Sequence, residues 1–213
     1  MLYIFDWDGT LCDSLDLIAA AIDQSCRFMG LEPLGVEKNK SVIGLGLREA
    51  LQALYPQVET LEMDRLIALY KKNYVALDLE RPSVLYPDVM DTLESLKVAG
   101  VKIAVATGKS RKGLDRVLAH LGLTNYFDAS RCSDETRSKP HPMMLEEILA
   151  EMDVSPDSAV MVGDTDYDLR MANAASVGAV GVSYGAHSIE RLSACHPSRI
   201  VDRLSDLLPI KPF

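Results

Sequence analysis

The chain has 213 residues, 48% hydrophobic and 25% charged, enough for one buried core and a modest insertion. Its formal net charge of −9 repels phosphate backbones and argues against nucleic acid as a steady partner, so any phosphate site must be a local positive pocket. No run reaches the ~18 apolar residues of a membrane-spanning helix, and Asp6 and Asp8 interrupt the first apolar run before a signal sequence could form.

Residues 2–5 (Leu-Tyr-Ile-Phe) read as a short buried strand, and Asp6-Trp7-Asp8-Gly9-Thr10 follows at its C-terminal end. In open α/β sheets that edge is where ligands bind; paired acids there attract a hard cation, and a Gly lets the backbone come close to a bound group. A surface turn is the bland alternative. By strand alternation Trp7 faces the opposite side and packs in the core. Leu15, Ile18, Ile22, Cys26 and Met29 then follow helical spacing, with Ser14 as N-cap and Gly30 at the C-terminal end. A second helix follows Gly44-Leu45-Gly46 and runs through Leu54; a third covers Leu61 to about Leu77, with Met63, Leu66, Ile67, Tyr70 and Tyr74 as its apolar face. Nothing in 14–82 reads as a strand.

From Tyr86 on, helices (88–99, 111–121, 142–151, 167–176) alternate with strands (101–106, 127–131, 158–163, with a final one at 178–182). Such alternation means a parallel sheet with helices on both faces. The last residues, Leu207 to Phe213, carry two prolines and are expected to trail. Cys12, Cys26, Cys132 and Cys195 are scattered with no C-x-x-C pair and read as buried or idle thiols, which fits a cytoplasmic protein.

Polar residues punctuate the strand ends in a fixed order. Asp6-x-Asp8-Gly9-Thr10 is followed by Thr107-Gly108-Lys109-Ser110, then Lys139-Pro140, then Gly163-Asp164-Thr165-Asp166-Tyr167-Asp168. This ordered set, from residue 2 to beyond residue 180, resembles the haloacid dehalogenase-like (HAD) superfamily. The resemblance implies an α/β fold: a Rossmann-like parallel-sheet core, 1–13 and 83–213, with an inserted helical cap, 14–82. A plain doubly wound binding domain would explain the strands but not the polar residues at their ends.

By the same resemblance Asp6 is a nucleophile forming an aspartyl-phosphate, and Asp8 is the general acid and then the base that activates water. Asp6, Asp164 and the backbone carbonyl of Asp8 are the expected Mg²⁺ ligands, with Asp168 behind them, holding a metal-bound water or orienting Lys139. Thr107, Gly108 and Lys139 bind the phosphate, Lys139 being steadied by Pro140 and Pro142. Asp166 is expected to be solvated at the helix N-terminus, and His141 to be a bystander. The family commonly carries Ala-Gly after the fourth motif, whereas this chain reads Ala175-Ser176, so the end of that helix has to turn without glycine.

Asp8 speaks against a dehalogenase, since the family's dehalogenases lack that second acid. The closest likeness is to phosphoglycolate phosphatase-like members, which implies a phosphoric monoester hydrolase acting on a small phosphorylated metabolite. A sugar-phosphate mutase, a pyrophosphatase or a nucleotidase of the same superfamily is the alternative, and a catalytically silent phospho-ligand-binding protein is the reading from another class. Specificity is expected in the cap, where the Gly44-Leu45-Gly46-Leu47 amides could accept an anion. Arg48 either pairs with a second anionic group of the substrate or is an exposed helix residue. Oligomeric state leaves no trace in the sequence.

Overall fold

The computed structural model describes residues 1–208. Its strands are β1 (Leu2–Phe5), β2 (Cys12–Asp13), β3 (Val84–Leu85), β4 (Lys102–Thr107), β5 (Ala129–Cys132), β6 (Ala159–Gly163), β7 (Gly178–Val182) and β8 (Arg199–Val201). Six of them form one parallel sheet in the order β5-β4-β1-β6-β7-β8. The chain runs from β1 out to β4 and β5, then returns to the other side of β1 through β6. The order therefore reverses beside β1, which is where open α/β sheets leave a ligand crevice at their C-terminal edge.

Both faces of the sheet are covered, so its inner strands are apolar on both sides. Tyr3, Phe5 and Trp7 enter one core cluster, with side chains from helices α5 (Val89–Val98) and α6 (Arg111–His120); Trp7 takes the core place expected of it. Leu2 and Ile4 enter another, against α7 (Met143–Met152), α8 (Asp166–Ala174) and α9 (Ile189–Ser193). Each large side chain buried this way contributes about 1.5–3 kcal/mol over leaving it exposed.

Among the first four helices, α1 (Leu15–Phe28), α3 (Leu47–Leu54) and α4 (Thr60–Glu80) build a separate cluster around Ile22, Leu51, Met63 and Leu66, and the short α2 (Val36–Lys40) is tied to α1 by Asn39, which donates to the Ala19 carbonyl. The chain enters this helical segment through β2 and leaves it through β3, and the two strands pair antiparallel, Cys12 opposite Leu85 and Asp13 opposite Val84.

Several short elements escape the sequence reading. Strand β8 lies beyond β7, so 178–182 is not the last strand; three residues are too few to show a period. Helices α2 and α9 have five residues each, little more than one turn. Leu207 does not trail: it is buried in the first core cluster, and residues 209–213 of the expected tail lie outside the described residues. Ser176 does take the left-handed turn that glycine would make without strain, at φ 56°, and the Val177 amide donates back to the Ala172 carbonyl at 2.9 Å. All four cysteines are free and buried. Among the described residues no helix is long and apolar enough to cross a membrane.

Candidate active site

Three adjacent strands deliver the polar residues to one edge. The register pairs Phe5 with Val105 of β4 and Val162 of β6, so Asp6, Thr107 and Asp164 emerge near one another. The Asp6 amide donates to the Val162 carbonyl at 2.9 Å, extending the ladder by one residue before the chain turns. The turn closes on the Trp7 carbonyl, which accepts from the Leu11 and Cys12 amides at 3.0 and 2.9 Å. Gly9 is needed there twice over: its φ is +84°, and a Cβ would lie 2.2 Å from Asp164 Oδ2. Thr10 then donates its hydroxyl to Asp164 Oδ1 at 2.9 Å, and the Ala186 amide donates to Oδ2 at 2.7 Å.

Lys139 is fully buried and bridges two acids, its Nζ 2.6 Å from Asp6 Oδ1 and 2.7 Å from Asp168 Oδ1. Asp168 is fixed from its other oxygen, which accepts from the Thr165 amide and hydroxyl at 3.1 and 2.7 Å, while the Asp168 amide donates to the Thr165 hydroxyl. This reciprocal cap starts α8 and aims the carboxylate at Lys139.

Asp6, Asp164 and Asp168 bring carboxylate oxygens within 4.8 Å of one another, all buried. Burial pushes the Asp6 carboxyl well above its ordinary range; Lys139 opposes this, while Asp168 and Asp164 add to it. Asp164 is pushed up to about 7, first by burial and then by Asp168. Burial works against the Lys139 ammonium, but Asp168 and Asp6 outweigh it and raise its pKa. One ammonium thus faces three acids, and Asp6 Oδ2 is buried with no hydrogen-bond partner. An all-oxygen set with surplus negative charge and an unused carboxylate oxygen fits a hard divalent cation.

Asp8 sits beside this cluster. Its Oδ1 accepts from the Ser14 hydroxyl at 2.5 Å and pairs with Lys109 Nζ at 2.9 Å. Ser14 does occupy the N-cap position of α1, but its side chain makes no cap bond and serves Asp8 instead. The Thr107 hydroxyl accepts from the Lys109 amide at 3.1 Å, which leaves its own proton free to donate. Cys12, pushed up to about 12 by burial and by Asp8, stays protonated and is no rival nucleophile.

A cavity of about 990 Å³ opens above these groups, with Asp6, Asp8 and Lys109 in its floor and Leu45, Ile67, Tyr70 and Val75 of the helical segment in its roof. Two of the four Gly44–Leu47 amides expected to accept an anion are engaged within the protein. Leu45 donates to the Val42 carbonyl and Gly46 to the Ser138 hydroxyl, at 3.3 and 2.7 Å. The carbonyls of Gly44 and Leu45 instead press on Gly108, where a Cβ would lie 2.8 and 2.4 Å from them. Arg48 lines the cavity but is ion-paired with Asp64, its side chain 50% exposed.

Two further expectations change. Asp166 is buried, not solvated, with Arg191 at 2.8 Å and Arg170 at 2.9 Å from its carboxylate. Its amide donates to His187 Nδ1 at 3.0 Å, while Nε2 lies 3.2 Å from the Ser41 carbonyl. The Asp166 carboxylate also comes within 3.0 Å of Nδ1. Burial and Arg191 hold His187 below its ordinary pKa, so the neutral ring with its proton on Nε2 satisfies both backbone partners. Lys109, which pairs with Asp8 and lines the cavity, has no role in the sequence reading, although it directly follows Thr107 and Gly108. His141 stays away from the acids, bonded to Arg137 and to the Met143 amide.

Known proteins resemble the chain along nearly its whole length. Phosphoglycolate phosphatase 1 of Pseudomonas aeruginosa is 33% identical, over 98% of this chain and 78% of its own length. A phosphoglycolate phosphatase of Vibrio parahaemolyticus is 31% identical, over 98% of this chain and 95% of its own. The crystal structure of a predicted phosphoglycolate phosphatase from Haemophilus somnus superposes with a TM-score of 0.86 at 28% identity, covering 98% of this chain and 96% of that one. A sequence profile of the haloacid dehalogenase-like hydrolases matches residues 3–182, and the chain belongs to that family.

Proposed function

We propose that the chain is a Mg²⁺-dependent phosphatase that hydrolyses a small phosphomonoester of the phosphoglycolate type through an aspartyl-phosphate. The observation that carries this reading is the convergence of Asp6, Asp8, Thr107, Lys139 and Asp164 at one sheet edge, with Asp6 Oδ2 unpartnered in the buried cluster. The names of its relatives supply the substrate type. Helices α1–α4 act as the cap, residues 14–82, over a core made of 1–13 and 83–213.

Asp6 attacks phosphorus with a carboxylate oxygen, and the bond to the leaving oxygen breaks as Asp8 gives that oxygen a proton. Water then attacks the phosphorus of the acyl phosphate, Asp8 takes its proton, and inorganic phosphate leaves with Asp6 restored. Lys139 holds Asp6 Oδ1 in place and offsets charge on the phosphoryl oxygens, while the Thr107 hydroxyl and Gly108 amide donate to them. Mg²⁺, held by Asp6, Asp164 and the Asp8 carbonyl with Asp168 behind them, would supply further neutralisation of the phosphoryl charge. Free buried thiols and a net charge of −9 suit a cytoplasmic enzyme acting on small metabolites rather than nucleic acid.

The test is turnover of p-nitrophenyl phosphate and of a panel of phosphorylated metabolites, with and without Mg²⁺. Turnover that disappears with EDTA and returns with Mg²⁺ is the expected result. A folded, Mg²⁺-loaded protein inactive on the whole panel overturns the reading.

A further inference from the structure

We infer that Tyr74, on a helix of the cap, positions the Asp8 carboxylate through Lys109, so that the acid is aligned only while α4 is seated on the core. The inference rests on the phosphatase reading for the role of Asp8.

Lys109 Nζ has two polar contacts, one from each side of the cavity. Asp8 Oδ1 lies 2.9 Å away on the core side, and the Tyr74 hydroxyl accepts from the ammonium at 3.2 Å on the cap side. The Tyr74 ring adds its face, with Nζ 4.8 Å from the centroid. The Lys109 and Asp8 side chains are each only 10% exposed, so water can do little to replace a lost partner. An ammonium so far out of water is costly unless its donors are satisfied, which makes its position depend on both contacts.

Tyr74 is itself anchored. The Arg116 guanidinium of α6 stacks 5.3 Å from its ring and pairs at 3.1 Å with Asp78, one turn further along α4. Helix α4 is thus fastened to the core at two successive turns, and the inner fastening ends on Asp8. The other donor to Asp8 Oδ1, Ser14, stands at the start of α1, where the chain enters the cap. With Oδ1 clamped by Ser14 and Lys109, Oδ2 is left for proton transfer.

Tyr74→Phe removes the hydroxyl, with its contacts to Lys109 and Ser83, and keeps the ring for Arg116; only the contact to Lys109 leads to Asp8, so a split between leaving groups separates positioning from packing. The measurement is kcat/KM, which reports the step in which the leaving group departs, on an alkyl phosphate and on p-nitrophenyl phosphate. The alkyl leaving oxygen is strongly basic and needs the acid; p-nitrophenolate hardly does. Expected for Tyr74→Phe is a loss of about 10-fold on the alkyl phosphate and about 2-fold or less on p-nitrophenyl phosphate, within the 10²–10⁴-fold that acid catalysis can contribute. Lys109→Met should show the same split more strongly, and adding Tyr74→Phe to it should cost nothing more, because both act on one group.

Equal losses on the two substrates, no loss on either, or additive losses in the double variant would overturn the inference while leaving the phosphatase reading intact. Should Lys109→Met fail to fold, the split in Tyr74→Phe decides alone. A wild-type protein without metal-dependent turnover overturns both.

Discussion

The floor and the roof of the cavity are built on different principles. In and beneath the floor, charged side chains stand at strand ends and on the turn before α7, and each is held by named partners: Lys139 by Asp6 and Asp168, Asp164 by Thr10 and the Ala186 amide. In the roof, Leu45, Ile67, Tyr70 and Val75 face the space beside Arg48, Lys71 and Lys72, and the turn that meets the core does so with the Gly44 and Leu45 carbonyls and the Gly46 amide. A floor of this kind fixes the chemistry whatever the substrate. A roof of this kind can sort substrates by shape and by charge. The difference predicts that replacing the nucleophile in the floor acts on every substrate alike, that replacing a group which serves Asp8 acts according to the leaving group, and that roof substitutions act according to the shape and charge of the substrate.

The largest effect belongs to Asp6→Asn. The amide keeps the shape but loses nucleophilicity, so kcat should fall by roughly 10⁴-fold or more on all substrates while circular dichroism stays native. Near-normal rates in the folded variant would remove Asp6 from the nucleophile role.

Next is Gly108→Ala, which probes where floor meets roof. A methyl group there would lie 2.4 Å from the Leu45 carbonyl, and both atoms that must yield belong to backbone. The cap then seats about 1 Å too high, a displacement that can cost on the order of 10²-fold in kcat/KM. Because the clash exists only when the cap is seated, Tm should drop little. A variant with wild-type kcat/KM would show that turnover does not require this contact.

How much of this was legible in the sequence follows the same division. The floor could be read because Asp6-x-Asp8-Gly9, Thr107-Gly108 and Gly163-Asp164 each place their polar groups within a few residues of a strand end, where local geometry decides direction. The clasp on Lys109 could not, since Tyr74 is 35 residues away and fits the apolar stripe of α4 without remainder. Asp166 was misread for a related reason: Arg191 and His187 reach it from the segment after β7, where α9 is too short to show a pattern. Ser14 was placed correctly and given the wrong partner, because a hydroxyl at a helix start caps by default and only the folded turn brings Asp8 to it.

Metal removal sharpens the comparison in a graded way. Asp164 has a folded pKa of about 7 against an ordinary 3.8, and Asp6 is shifted in the same direction. A raised carboxyl pKa means that the folded state binds the proton more tightly than the unfolded one. Stability is therefore fully present below the ordinary value and is lost as pH rises through the window toward 7. In EDTA, Tm should fall between about pH 4 and about pH 7, and Mg²⁺ should restore more at the upper end, where it no longer competes with protons. A metal-free protein whose Tm is level or rises over that range would contradict the burial of these acids.

The smallest effect, and the one most specific to the roof, is that of Arg48→Ala. Arg48 pairs with Asp64, the two side chains 50% and 53% exposed, and such a pair contributes about 0–1 kcal/mol, so stability should hardly change. The guanidinium lines the cavity at half exposure, and its partner on α4 steadies it without enclosing it. A substrate with a second anion, such as a carboxylate beside the phosphate, can compete with Asp64 for the fork of donors. Removing Arg48 should then raise KM for phosphoglycolate about 10-fold, the ~1.4 kcal/mol of one charge-assisted contact, and leave p-nitrophenyl phosphate, which has no second anion, near its original KM. If KM rises equally for both substrates, or for neither, Arg48 has no selective role, and discrimination falls to the other side chains of the roof, Lys71 and Lys72 among them.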